Sequence, residues 1–315
     1  MPDITIVGMT RLAMTMPVET FPLPYHAHHR TSWMRCAVVG GAFNIGSALR
    51  SLGSDPRICT LVGTDEAGEV IRAALRRHGL EGRGVADAPE SAKTVILVEP
   101  DGRVARAAWT SGASLDYPME RFIEQSVDAD LVVVASNPFG EPFLHTAKNL
   151  LKLPVAVDLH LAADLTDPEQ RPWFEAADVL FCSHEQLRLP PAEWIGEVLD
   201  RYPGCQLAAV GRGEQGCVMG LRDGRLVEID AVTPRPVRST DGAGDALFAS
   251  FLHGWLTAGE PVEALESAVL FAGWKIGADT AAEGFLTAGE LTALRKVYPL
   301  RTRISSWLPG TGDDG

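Results

Sequence analysis

The stretch that most constrains this 315-residue chain is residues 239–258. A short glycine-rich run, Gly242-Ala243-Gly244-Asp245, opens directly into a long apolar segment that is poor in charge. At 3.6 residues per turn, the segment predicts a helix of about four turns that is buried on most of its faces. Because the first N–H groups of a helix are unpaired and favour negative charge, we predict an anion site at its start.

Asp245 has two interpretations from this stretch alone. Glycine and alanine let a phosphoryl group approach the backbone closely, and Asp245 would then face a hydroxyl group as a general base. In the bland interpretation the glycines form an ordinary turn, and Asp241 or Asp245 caps the helix through its carboxylate.

Composition and charge narrow the class of protein. The chain carries 28 basic and 41 acidic residues, a net charge of −13, which argues against nucleic acid or an anionic membrane surface as partner. Its five cysteines are far apart and form no Cys-x-x-Cys pair, so we expect reduced thiols. With no secretion signal and no apolar run long enough to span a bilayer, the expected location is cytoplasmic.

Short apolar segments alternate with helical ones along most of the chain, which favours an α/β fold with a mostly parallel sheet covered on both faces. The strands are expected at residues 3–7, 58–62, 131–135, 155–157, 179–182 and 207–210. Ligands bind such sheets at the carboxyl ends of the strands. The polar candidates there are Asn137, Asp158, His160, Ser183, Glu185 and Gln186.

One hairpin interrupts this alternation. Residues 94–98 and 104–109, joined by Asp101-Gly102, predict two antiparallel strands. Together with the proline-containing residues 17–35 they could form a small sheet that stands off the main body as a lid. His26, His28 and His29 lie in that segment, but no carboxylate or cysteine is close enough to complete a metal site, so a solvated or substrate-facing edge is expected.

Two further glycine motifs bear on ligands. Gly40-Gly41 precedes Asn44, which we expect to open a helix ending at Leu52; the motif is either a ligand contact or a turn with an asparagine cap. Residues 211–216 match Gly-x-Gly-x-x-Gly, but a second hairpin follows where a dinucleotide-binding fold needs a helix. A nucleotide-facing turn remains open at that point.

The glycine pair with Asn44, the run Val62-Gly63-Thr64-Asp65-Glu66-Ala67-Gly68 and the motif at residues 240–245 occur in this order around the hairpin. In this they resemble the ribokinase-like (PfkB) family of carbohydrate and nucleoside kinases. The resemblance runs from about Ile4 to about Tyr298. It implies a three-layer α/β/α sandwich with a mostly parallel central sheet and a small β lid.

The resemblance also implies transfer of the γ-phosphoryl group of ATP to a hydroxymethyl group, with Mg²⁺ on the phosphates. Asp245 would take the proton of the acceptor hydroxyl, and the backbone of Gly242, Ala243 and Gly244 would form the anion hole. Gly41 and Asn44 would contact the acceptor. Such lids often carry dimer contacts, which implies a homodimer formed through the lid.

On the nucleotide side the resemblance places Ser183, Gly213 and Gly216, and near the metal it places Glu185 and Gln186. The family's Asn-x-x-Glu segment reads Ser183-His184-Glu185-Gln186 here, so the usual carboxylate is replaced. The family motif usually begins Asp-Thr and here begins Ser239-Thr240, which makes a monovalent cation doubtful.

A third departure concerns the acceptor. Counting from Gly8, the sugar-binding aspartate of the family falls at Ala13, and Arg11 lies two residues earlier. Arg11 could meet an acidic or phosphorylated acceptor through its fork of donors, or be a solvated lid arginine.

The sequence thus predicts one kinase domain over residues 1–307, with lid segments at about 10–37 and 92–111 and a disordered tail over 308–315. The expected activity is ATP-dependent phosphorylation of a hydroxyl group on a sugar or sugar-like molecule. A nucleoside kinase and a non-catalytic ligand-binding relative remain as alternatives, since fold alone does not give function.

Overall fold

The computed structural model describes residues 1–100, 104–110, 115–161 and 164–308. Its larger sheet has ten strands in the order β14-β13-β12-β11-β10-β9-β8-β1-β4-β5. Neighbours from β11 to β5 pair in parallel, and the pairs from β11 to β14 are antiparallel. The strands are β1 Asp3–Val7, β4 Asp55–Gly63, β5 Val85–Ala88, β8 Leu131–Ala135, β9 Val155–Leu161, β10 Val179–Ser183, β11 Leu207–Gly211, β12 Cys217–Leu221, β13 Arg225–Ile229 and β14 Thr302–Ser306.

Helices cover both faces of this sheet, as the continuous apolar strands require. One face packs α1 Gly41–Leu52, α2 Glu66–Arg77, α7 Ala243–Ala258, α8 Pro261–Lys275 and α9 Ala288–Val297. The other face packs α3 Met119–Ser126, α4 Glu141–His145, α5 Arg171–Ala176 and α6 Pro191–Arg201. Each face therefore has its own apolar core, and the predicted three-layer architecture is confirmed.

A separate four-stranded sheet, called here the small sheet, has the order β3-β2-β6-β7. Its strands are β2 Arg11–Pro17, β3 Arg35–Val39, β6 Ala92–Val98 and β7 Val104–Trp109. The predicted β6–β7 hairpin is confirmed, and its turn at Asp101-Gly102 lies outside the described residues. Arg11 opens β2, directly after the loop that leaves β1.

The run Gly63-Thr64-Asp65 forms a joint between the two sheets. The Asp65 carboxylate accepts a hydrogen bond from the Gly68 N–H at 3.0 Å and so caps α2. The same carboxylate accepts from the Ser91 hydroxyl at 2.6 Å and pairs with Lys93 of β6 at 2.7 Å. A Cβ on Gly68 would lie 1.8 Å from the Gly63 carbonyl oxygen, so this motif is a structural requirement of the fold.

Two local expectations were wrong. Helix α1 begins at Gly41 rather than Asn44, because Gly40 at φ +119° is the N-cap and a Cβ there would meet the Met9 carbonyl oxygen at 2.3 Å. Asn44 is therefore inside the helix and is not its cap. Strand β14 lies in a segment for which no strand was predicted; its residues are mostly exposed and polar, so it lacks the apolar alternation that marks a strand.

Two further features are the state of the cysteines and the length of the helices. All five cysteines are free, and four of them are buried; Cys36 is exposed. Among the described residues, no helix combines the length and the apolar character that crossing a membrane requires. The predicted disordered tail falls almost wholly on residues 309–315, outside the described part of the chain.

Candidate active site

Asp245 lies in the first turn of α7, where the chain enters the helix through Gly242 in a left-handed conformation at φ +75°. The residue is 7% exposed. No side chain caps α7, and the Asp241 carboxylate instead pairs with Arg106 of β7. The interpretation of Asp241 or Asp245 as an ordinary helix cap is therefore wrong.

The Asp245 carboxylate is held on one side and free on the other. The Asn44 amide donates to Asp245 Oδ2 at 2.8 Å, so α1 and α7 are joined at this point. Asp245 Oδ1 is buried, and no group among the described residues forms a hydrogen bond with it. Since a buried polar atom without a partner is costly, a free carboxylate oxygen here is what a general base awaiting a hydroxyl group would show.

The backbone beside Asp245 offers several free donors. The Ala243 N–H is used locally, because it donates to the Thr240 carbonyl at 3.1 Å. Within the described part of the chain, the N–H groups of Gly242, Gly244 and Asp245 donate to no backbone carbonyl. The predicted anion hole therefore differs in one member from the N–H groups that are free: Asp245 has a free N–H, whereas that of Ala243 is used.

Gly244 offers a test of this anion hole. It is exposed, and a Cβ on it would meet no atom within 4 Å, so Gly244→Ala should raise the stability of the fold by about 0.5–1 kcal/mol. If a phosphoryl group docks on the Gly244 N–H, the added methyl displaces it, and kcat should fall about 10²-fold. The measurement is kcat beside the thermal unfolding midpoint.

Helix α9 supplies the matched control, because it begins Ala288-Gly289-Glu290 as α7 begins Ala243-Gly244-Asp245. Gly289 is also exposed with open space around its Cβ position. Gly289→Ala should stabilise the protein similarly and leave kcat unchanged. Equal kcat values in the two variants would show that no group approaches the Gly244 backbone.

Asp158 and His160, at the end of β9, face Asp245. The Asp158 carboxylate accepts from the His160 N–H at 2.9 Å and lies 3.3 Å from His160 Nδ1. His160 has φ +56°, a left-handed conformation that is uncommon outside glycine and that often marks a functional site. Its Nε2 lies 3.8 Å from the position of a Cβ on Gly41. Asp158 thus fixes the ring so that Nε2 faces Gly41.

Arg11 lies on the same wall. Its guanidinium interacts electrostatically with Asp245 and with His160. Among the described residues, however, no ion pair or hydrogen bond reaches the guanidinium, and its Nε is buried without a partner. Burial lowers the pKa of the Arg11 guanidinium, and Asp245 opposes this. The Arg11 guanidinium therefore has hydrogen-bond donors that could bind a carboxylate or a phosphate group.

Burial and the neighbouring charges shift the pKa values of Asp245 and His160. Burial raises the pKa of the Asp245 carboxyl above its ordinary value, while the charge of His160 lowers it. Asp158 raises the pKa of the His160 imidazole, and burial opposes this change. A raised pKa makes the ionised carboxylate a stronger base, which suits proton abstraction.

Two sets of residues could hold a metal ion. Asp158, His160 and Asp245 each offer a ligand atom, and these atoms lie within 4.8 Å of one another. The positive Arg11 guanidinium acts on the same group and opposes a cation there. The predicted pair, Glu185 and Gln186, lies in a short turn after β10; both are exposed, and within the described residues neither side chain is hydrogen-bonded.

The residues expected on the nucleotide side also lie together. Ser183 ends β10 and pairs in register with Gly211 at the end of β11. A Cβ on Gly213, at φ +56°, would lie 3.8 Å from the His184 ring. Gly216 closes the turn, and a Cβ there would meet the Ile229 carbonyl oxygen at 2.0 Å, so the fold itself requires this glycine.

One charged residue near the site was not predicted. Lys275 ends α8 with 0% exposure, and its ammonium donates to the Asp241 carbonyl oxygen. The sequence does carry a signal, since Lys275 follows directly on the apolar run at residues 268–274. The exposed histidines of residues 26–29, by contrast, do not reach the Asp158–His160–Asp245 cluster.

Comparisons with known proteins show the family to which the chain belongs. A model of the pfkB family of carbohydrate kinases matches residues 1–287. The chain is 28% identical over 267 residues to the acarbose 7(IV)-phosphotransferase of Actinoplanes sp., across 83% of this chain and 87% of that protein. It is 30% identical over 239 residues to the ATP-dependent ribose-1-phosphate kinase of Halopiger xanaduensis, across 73% and 77%.

A solved structure gives the same fold. The ribokinase of Thermotoga maritima superposes with a TM-score of 0.78 at 17% identity, across 94% of this chain and 100% of that chain. The chain belongs to the pfkB family of carbohydrate kinases and has the ribokinase-like α/β fold. The family and fold expected from the glycine motifs are confirmed.

Proposed function

We propose that this protein transfers the γ-phosphoryl group of ATP to a hydroxyl group, in particular a hydroxymethyl group, of a sugar or sugar-like acceptor. The observation that carries the proposal is the buried Asp245 carboxylate, oriented by Asn44 at 2.8 Å and left with one free oxygen beside the free N–H groups that begin α7. A base and an anion hole thus meet at one point.

In this proposal each group has a defined part. The acceptor hydroxyl donates to Asp245 Oδ1, which takes its proton as the acceptor oxygen attacks the γ-phosphorus and the bond to the ADP oxygen breaks. The N–H groups of Gly242, Gly244 and Asp245 stabilise the charge on the phosphoryl oxygens. Gly41 would contact the acceptor through its backbone; a Cβ there would lie 2.7 Å from the Ala135 Cβ, so packing also requires this glycine.

Ser183, Gly213 and Gly216 line the proposed nucleotide side. The free oxygens of Glu185 and Gln186 fit a Mg²⁺ ion that is held mainly by the phosphates, since Mg²⁺ prefers oxygen ligands and retains waters. When bound, Mg²⁺ would neutralise charge on the phosphate oxygens. Closure of the small sheet would exclude water, and the Arg106–Asp241 and Arg35–Asp279 ion pairs already join it to the body.

The test of the proposal is ADP release from Mg·ATP across sugars, sugar acids, phosphosugars and nucleosides. We expect turnover that depends on the acceptor and is fastest with one chemical class. Nucleosides as the fastest class would favour the nucleoside kinase alternative. Tight nucleotide binding with no turnover on any acceptor would favour a non-catalytic relative.

Arg11 supports a finer proposal, in which the acceptor carries an acidic group. Its guanidinium has no anion among the described residues, and His160 Nε2 faces the same space. A phosphate or carboxylate on the acceptor would accept from the Arg11 guanidinium and from Nε2 of a protonated His160, the form that Asp158 favours. One relative is named a ribose-1-phosphate kinase, and ribose-1-phosphate carries a phosphate group. Another relative is named for acarbose.

We therefore expect kcat/KM to be higher for ribose-1-phosphate or a sugar acid than for the matching neutral sugar. Arg11→Gln should reduce kcat/KM for the acidic acceptor roughly 10–100-fold, because a hydrogen bond to a charged group contributes about 1.5–3 kcal/mol. Arg171→Gln, at the exposed first residue of α5, removes the same charge away from the site and should change neither rate. An unchanged acid-to-neutral ratio in Arg11→Gln would contradict this role.

A further inference from the structure

Lys275 is a buried charge near the site that the proposed mechanism leaves without a part. Its side chain is 0% exposed, although a lysine is almost never fully buried without a partner or a function. Within the described residues it forms no ion pair, and its sole hydrogen-bond acceptor is the Asp241 carbonyl oxygen. A buried ammonium with one carbonyl partner is costly, so its position calls for an explanation.

The partner of Lys275 is informative. The Asp241 carbonyl and the Gly242 N–H belong to the same peptide group, which is planar and trans, so the two point in opposite directions. Lys275 therefore contacts one end of this peptide, and the other end presents the Gly242 N–H at the start of α7. Hydrogen bonds in such a chain polarise one another, which makes the terminal N–H a stronger donor.

The contact of Lys275 with the Asp241 carbonyl also affects a second donor, the Asp245 N–H. In a helix the Asp241 carbonyl is the acceptor that lies four residues before the Asp245 N–H, but no such bond forms here. The carbonyl receives the Lys275 ammonium instead, and the Asp245 N–H stays free.

We infer that Lys275 is a positioning residue that strengthens the N–H donors of the proposed anion hole through its contact with the Asp241–Gly242 peptide. It touches neither nucleotide nor acceptor and acts through the Gly242 and Asp245 N–H groups. The role rests on the proposed phosphoryl transfer, because it predicts which rate constant changes. It does not depend on the identity of the acceptor.

The charged groups around Lys275 set its pH dependence. Burial lowers its pKa to about 8, the Asp241 and Asp245 carboxylates oppose this change, and Arg235 adds to it. The ammonium is therefore present below about pH 8 and is lost as the pH rises through that value. Since the charged form supports the anion hole, kcat should decline on the alkaline side, and Lys275→Met should lack this alkaline decline.

The decisive variant is Lys275→Met, which keeps most of the volume and removes the charge. We expect kcat to fall roughly 10–100-fold with KM for the acceptor little changed, because the lost stabilisation acts on the transition state. The thermal unfolding midpoint should stay the same or rise, since apolar replacement of a buried charge is often neutral or stabilising. A purely structural lysine predicts the opposite pattern, with lower stability and unchanged kcat.

Lys148→Met is the matched control. Lys148 pairs with Asp178 at 2.5 Å just before β10 begins, at the opposite end of the strands from the site. Its loss leaves that carboxylate without its lysine, so stability should fall while kcat is unchanged. A Lys275→Met protein that folds normally and keeps kcat within about threefold of wild type would overturn the inference.

A second measurement does not depend on turnover. Calorimetric titration compares the affinity for AMP-PNP with that for ADP, so that the difference reports the γ-phosphoryl group. We expect wild type to favour AMP-PNP and Lys275→Met to lose most of that preference. An unchanged preference in the variant, or none in wild type, would overturn the inference. Absence of turnover in wild type would instead overturn the proposed function and leave this titration to decide the role of Lys275.

Discussion

Asp245→Asn should lower kcat by about 10²–10⁴-fold while the protein folds normally, because the general base is removed and its shape is kept. The amide oxygen can still accept from Asn44, so the contact between α1 and α7 survives. Burying the charged Asp245 carboxylate is costly, and the asparagine at this position is uncharged. The stability of the variant should therefore equal or exceed that of wild type. The measurements are kcat with saturating acceptor and the thermal unfolding midpoint.

The pH profile gives the same prediction a second readout. Asp245 must be ionised to take a proton, so wild-type kcat should fall as the pH drops through its pKa, which burial raises above the ordinary carboxyl value. The residual rate of Asp245→Asn should not show this acid limb. Asp178→Asn, which removes the same charge before β10 at the far end of the strands, should keep kcat within about twofold of wild type. Full activity in Asp245→Asn would remove Asp245 from the mechanism.

Gly242→Ala should have the second-largest effect. Gly242 is left-handed at φ +75°, and a Cβ there would lie 2.5 Å from the Ala281 carbonyl oxygen. The left-handed conformation costs an alanine about 1–2 kcal/mol, and the contact forces the chain before α7 to move. Because the Gly242 N–H belongs to the anion hole, kcat should fall about 10²–10³-fold. The check is kcat measured on protein shown to be folded by its unfolding transition.

Gly259 at the other end of α7 separates the two causes. It has φ +76°, and a Cβ on it would meet no atom within 4 Å. Gly259→Ala should therefore pay the same conformational cost of about 1–2 kcal/mol and leave kcat unchanged. If both variants lose stability equally and both keep kcat, the start of α7 is not the anion hole.

Much of the fold could be predicted because it follows from local patterns. Continuous apolar strands such as Leu131–Ala135 indicate a sheet covered on both faces. All five residues of this strand are buried in the structure. The long apolar segment after Gly244 became α7, in which residues 245–252 are all buried. Strand β14 could not be predicted in this way, because it is set by pairing with β13 rather than by its own pattern.

The candidate site was predictable only in part, since its residues meet from distant points in the chain. The glycine motifs placed Asp245 and Asn44 at one site, and the structure joins them across 201 positions. Asp158 and His160 were recognised as polar residues at a strand end, but the sequence gives no sign of the left-handed backbone that aims His160 at Asp245. The contact of Lys275 with Asp241 exists only once α8 packs beside α7.

The most direct test of the central claim is phosphorus NMR of the product formed from Mg·ATP and the best acceptor by wild type and by Asp245→Asn. With wild type we expect a phosphomonoester signal on the acceptor that grows as the γ-phosphoryl signal of ATP decays and ADP appears in equal amount. With Asp245→Asn both changes should slow by about 10²–10⁴-fold. ADP accompanied only by inorganic phosphate, or an equal rate of ester formation in the variant, would contradict the assignment of this site as a kinase centre with Asp245 as its base.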